Sequence, residues 1–119
     1  MKRRNIPTSS PFGAEFGYSR AVRADRHIHV AGTCADAYEQ ARSALGIIAG
    51  ALDETGASLE DVVRTVVYIT DVAHADGVTR AHREVFGEIL PASTLVVIAA
   101  LLKPHLVVEI EAYALVDSA

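Results

Sequence analysis

The chain has 119 residues, half of them hydrophobic, which suffices for one domain with a real core. A formal net charge of −4 argues against nucleic-acid binding through a broad basic surface, and the basic cluster Lys2-Arg3-Arg4 is short and terminal. One cysteine, Cys34, excludes an internal disulfide and any multi-cysteine zinc site. No apolar run approaches the roughly 20 residues that span a bilayer, and the start has no signal-peptide stretch, so a cytoplasmic protein without membrane partners is expected.

Residues 1–17 are rich in Pro, Gly and Ser and read as an irregular arm with a short edge pairing. Tyr18–Ala24 and His27–Thr33 follow as two strands around a turn at Asp25-Arg26. Asp36, with Glu39 three residues on, starts a helix as in a capping box. Its apolar stripe is Tyr38, Ala41, Leu45, Ile48 and Leu52, and Gly56 closes it. Ser58–Asp61 is a polar turn, and Val62–Thr70 is β-branched enough for a central strand. Asp71–Gly77 reads as a loop and Val78–Ile89 as a second helix, with Val78, Ala81, Val85, Phe86 and Ile89 inward and Pro91 ending it.

The last stretch, Pro91–Ala114, organises the rest. It reads as strands Thr94–Leu101 and Leu106–Leu115 joined by a turn at Lys103-Pro104-His105. The second alternates, with Val108, Ile110, Ala112 and Ala114 on one face and Val107, Glu109, Glu111, Tyr113 and Leu115 on the other. The first is apolar on both faces and so needs cover on both. Helices of the same chain supply one cover, and another subunit is expected to supply the second. The fold class is therefore α+β: one mixed sheet with two helices on one face, in a single domain spanning residues 1–119.

Glu109 and Glu111 lie two residues apart on one strand face, about 6.6 Å by strand rise, a span that suits acid–base groups flanking a small substrate as well as surface salt bridges. Ser93 and Thr94 offer hydroxyls and main-chain N–H groups to a polar ligand, or are ordinary strand-start residues. His27 and His29 share a face at a period of two, with no third metal ligand at suitable local spacing. Cys34 is read as an inert small hydrophobe and His82, beside Arg83 and Glu84, as a solvated helix position. There is no Ser-His-Asp arrangement, P-loop or dinucleotide fingerprint, so neither cofactor nor metal is expected.

The segments F-G-Y-S-R-A-V (16–22), H-V-A-G-T (29–33), G-A-S-L-E-D-V-V-R-T-V-V-Y-I-T-D (56–71), P-A-S-T (91–94) and V-E-I-E-A (108–112) resemble, in the right order, the Rid family. This family is also called YjgF or the endoribonuclease liver perchloric-acid-soluble-protein homologues. The resemblance implies a chorismate-mutase-like fold and a homotrimer in which the sheets of three subunits form a central barrel with ligand clefts between subunits. It also implies hydrolysis of reactive imines and enamines to 2-oxo acids and ammonia. By the same resemblance Glu109 positions the attacking water, and Tyr18, Ala31, Gly32, Ser93, Thr94 and Leu95 contact the substrate. Ser93 stands where the family has an arginine that clamps the substrate carboxylate in a bidentate pair. The connection from Gly32 to Asp36 is also shorter than usual. Three readings follow: a small hydrolase, a trimer that binds a small ligand or partner without turnover, and RNA cleavage, which the acidic charge disfavours.

Overall fold

The computed structural model describes residues 3–8, 19, 21–24, 27–30 and 36–117. Tyr18, Ala31, Gly32 and Cys34 lie outside them. In order, the elements are β1 (Arg3–Ile6), β2 (Ala21–Ala24), β3 (His27–Val30), α1 (Ala37–Glu54), β4 (Val62–Ile69), α2 (Ala75–Phe86), β5 (Ala92–Val97) and β6 (Val108–Leu115). Short 3-10 turns occur at Leu59–Asp61 and Val72–His74. The strands make one sheet ordered β1-β2-β3-β6-β4-β5, the arm supplying β1 at one edge.

β4 and β5 are parallel, and every other pair is antiparallel. Because β3 and β4 both run antiparallel to β6, they run parallel to each other, and α1 makes the crossover between them. α2 makes the crossover from β4 to β5, stepping the same way across the sheet. Right-handed crossovers in one direction put both helices on one face, where α1 packs on α2 and on β6. The α+β class, a mixed sheet under two helices, stands as expected from the sequence.

Local chemistry explains the ends. The Asp36 carboxylate accepts the Glu39 N–H at 3.0 Å, capping the first turn of α1. Ala41, Ala44, Leu45, Ile48, Ala51 and Leu52 form its buried stripe, while Tyr38 is only half-buried. α2 begins and ends three residues before the expected Val78–Ile89. Asp71 accepts the Ala73 N–H at 2.8 Å and starts a 3-10 turn that runs straight into the helix, so the expected loop is helical in its second half. At the other end Leu90 adopts a left-handed backbone (φ 57°), its N–H closing on Phe86 O at 2.8 Å.

The alternation of β6 holds: Val108, Ile110, Ala112 and Ala114 are buried beneath the helices with Val67, Ile69 and Phe86. β5 is shorter than the expected Thr94–Leu101. β4 ends at Ile69, and after Ile98 N–H reaches Ile69 O at 2.8 Å there is no partner strand left to follow. All six residues of β5 are exposed at the sheet edge. The helices cover less of this strand than the sequence led one to expect, leaving Leu95 and Val97 open on one side and Thr94 and Val96 on the other.

Candidate functional site

Strand register decides which candidates share a face. Ser93 pairs with Thr65 and Leu95 with Val67, on the helix side of the sheet. Thr94 pairs with Val66, which pairs in turn with Glu111, and Glu109 lies opposite Tyr68. Thr94, Glu109, Glu111 and Tyr68 therefore share the face without helices. The sheet thus separates the Ser93 and Leu95 side chains from those of Glu109 and Thr94.

On the helix side, α2 and β5 enclose a cleft of about 340 Å³. Its apolar walls come from Val67 and Leu95 on the sheet and from Val78, Phe86 and Leu90 around the helix. Ser93, Thr79, His82 and Arg83 supply its polar side chains. Thr65 Oγ1 lies 2.7 Å from Ser93 Oγ and 2.9 Å from His82 Nε2. Thr65 is fully buried, so its hydroxyl needs these partners.

His82 is not the solvated position that its charged neighbours suggested. It is half-buried, its ring tilted against Phe86 with centroids 4.8 Å apart. Burial lowers its pKa below the ordinary 6.5, favouring the neutral imidazole. The reason lies in spacing: Val78, His82 and Phe86 recur every four residues along the inward stripe of α2. That signal was present in the sequence, as was Thr65, two residues before Val67 on the buried side of β4. A larger hollow, about 770 Å³, lies beyond Arg83 and is bordered by Glu60, Glu84 and Glu88. It contains none of the sequence candidates.

On the open face, Tyr68 donates to Glu111 Oε1 at 2.6 Å, and this bond raises the phenol pKa. Glu111 is thus engaged in the sheet's own cross-strand chemistry. Glu109 is half-buried beside it. Among the described residues no group of three His, Cys, Asp or Glu side chains is placed to hold a metal ion, and no helix is long and apolar enough to cross a membrane.

A mixed sheet of this order, two crossover helices on one face and a bare opposite face with conspicuous carboxylates define a recognisable class of small α+β protein. The family model described as Endoribonuclease L-PSP matches residues 8–116. An uncharacterised protein of Streptomyces coelicolor is 37% identical, over 92% of this chain and 91% of its own. The human protein named 2-iminobutanoate/2-iminopropanoate deaminase is 31% identical, over 95% of this chain and 90% of its own. A solved structure from Mycobacterium tuberculosis, described as a member of the YjgF/YER057c/UK114 family, superposes with a TM-score of 0.91 at 42% identity, covering 97% of this chain and all of that one. The chain belongs to this Endoribonuclease L-PSP, or YjgF/Rid, family.

Proposed function

We propose that this protein is a cofactor-free hydrolase of imines, enamines or related small metabolites, assembled as a trimer with its reaction sites in the clefts between subunits. The observation that carries the reading is the division of the candidate residues between the two sheet faces. Ser93 and Leu95 open into the α2–β5 cleft, whereas Glu109 and Thr94 lie on the bare face. One chain does not combine them, and a second copy seated against the open face and the free β5 edge does. Glu109 of one subunit then works beside the Ser93–Leu95 cleft of its neighbour, with Tyr18, Ala31 and Gly32 completing the pocket. The name of the human relative, a deaminase of two 2-imino acids, supports the substrate class.

The chemistry asks little of the protein. The Glu109 carboxylate accepts a proton from water as the water oxygen adds to the C=N carbon. The proton passes to nitrogen, the hydroxyl proton of the tetrahedral adduct follows it as the C–N bond breaks and the C=O forms, and ammonia and the 2-oxo acid leave; an enamine enters the same route after protonation at carbon has turned it into the imine. The test is release of ammonia and 2-oxo acid from enzymatically generated 2-aminoacrylate. Wild type is expected to accelerate it and Glu109→Gln to lose the acceleration, by about 10²-fold or more for a lost general base. Equal rates with and without protein would sink the hydrolase.

Ser93 favours a second reading, a trimer that binds its ligand without turnover, because a hydroxyl replaces the clamping arginine at that position. Saturable ligand binding with no acceleration would select it.

A further inference from the structure

We propose that His82 is a positioning residue for Ser93: a proton on its imidazole locks the line His82–Thr65–Ser93 in one direction and turns the Ser93 hydroxyl proton into the α2–β5 cleft. The inference concerns the cleft of the reading above and rests on neither turnover nor assembly.

Thr65 is the joint of the line. Its Oγ1 lies 2.9 Å from His82 Nε2 and 2.7 Å from Ser93 Oγ. The side chain is fully buried, and these are its two hydrogen-bond partners among the described residues. With a neutral imidazole the line can run either way. One tautomer gives its Nε2 proton to Thr65, and the other accepts the Thr65 proton there. Either arrangement leaves the buried hydroxyl satisfied.

The charged ring has no such choice. An imidazolium carries a proton on each nitrogen and accepts none, so Nε2 must donate to Thr65. A threonine hydroxyl has one proton, and the acceptor left for it is Ser93 Oγ. Ser93 then accepts within the line, and its own proton is free for the cleft that it lines. Protonation thus reduces two arrangements to one. The cleft shows a donor at Ser93 when His82 is charged, and an acceptor becomes available there when the ring is neutral.

The surroundings leave this line as the partner of the proton. Val67 of β4, Leu95 of β5 and Phe86 of α2 wall the cleft beside the ring, and no carboxylate lines it. Arg83, next to His82 on α2, is the one other charged side chain there. From α1, Tyr38 and Arg42 reach α2 at Glu84, and those three groups are engaged with one another. Burial, with no charged partner behind it, is accordingly what lowers the His82 pKa. How readily the ring charges therefore depends on whether the hydroxyl line can take up its N–H.

The test is a pH titration of the His82 ring by proton–nitrogen NMR on the full chain without substrate, its signal identified by loss in His82→Gln. Ser93→Ala removes the acceptor that the charged state requires. It leaves the neutral state one satisfied arrangement, with Thr65 donating to Nε2. The expected effect is a fall of about half a unit in the His82 pKa, the size of one lost hydrogen bond. Ser93→Thr keeps the hydroxyl and should restore the wild-type value. In a Thr65→Val background the line is cut, and adding Ser93→Ala should shift nothing further. An unchanged pKa in Ser93→Ala would overturn the inference, and so would an equal shift with and without the Thr65 hydroxyl. Coupling of His82 to Ser93 without any ammonia release would remove the hydrolase alone. Hydrolysis by a wild type whose His82 is indifferent to Ser93 would remove the switch alone.

Discussion

At the scale of single residues, the hydrogen-bonded line through Thr65 is the feature that most constrains function. Thr65→Val keeps the shape and removes the hydroxyl, leaving the His82 nitrogen and Ser93 without their shared partner. Because both remain partly open to water, the expected loss is about 1–2 kcal/mol, read from the denaturant midpoint. His82 adds a dependence on pH. Its folded pKa lies below 6.5, so between those two values the unfolded chain binds a proton that the folded chain refuses. Stability is therefore expected to be highest above 6.5 and to fall as pH drops through that value, until the folded imidazole also charges. Denaturant melts on either side of 6.5 should show a smaller drop in His82→Gln, whose amide still reaches Thr65. An equal drop in both proteins would place the effect elsewhere. Apolar periodicity marks Val78 and Phe86, and the histidine between them shares their stripe although its own polarity and its charged neighbours point to solvent.

At the scale of elements, a single polar side chain ties α1 to the strand that centres the sheet. Gln40 is fully buried, its amide nitrogen donating to His105 O at 2.9 Å and its carbonyl accepting Val107 N–H at 2.9 Å. It fixes the turn that leads into β6, so the register of β6 against β4 is set partly from the helix. Gln40→Leu fills the volume but leaves the His105 carbonyl and the Val107 N–H, both part-buried, without their side-chain partner. The expected cost is about 2–4 kcal/mol, seen as a lower unfolding midpoint, with exchange protection lost first at Val107 and Val108. An unchanged midpoint would show that water replaces the amide. The helix pattern, the capping Asp36 and the alternation of β6 were legible in the sequence because each is local. Gln40 was not, since its partners lie 65 and 67 residues away and nothing local marks a buried amide. The α2 boundary shifted for a related reason. Asp71 caps a 3-10 turn that merges with the helix, and turn chemistry outweighed the apolar spacing.

At the scale of the whole molecule, the sheet has one dressed and one bare face, and its β5 edge is open along its length. Sequence patterning indicated that the run Leu95-Val96-Val97 needs cover on both sides, but not how little of it the helices provide. A flat, apolar edge strand invites pairing with other chains unless it is covered. Closure into the proposed trimer would answer that hazard and unite the two half-sites in the same step. Val96 is the residue to challenge, because it faces the bare side opposite Tyr68, is 37% exposed and takes no part in the buried core. Wild type is expected to scatter light as three chains. Val96→Lys would force an ammonium into the subunit contact and should yield folded monomers, since the core beneath the helices is untouched. Those monomers should still show the Thr65 and His82 stability effects, which belong to one chain, and should lose any hydrolysis, which on this reading does not. A wild-type chain that stays monomeric at every concentration would refute the shared site. Activity that persists in a monomeric Val96→Lys would show that Glu109 and the Ser93 cleft do not need each other.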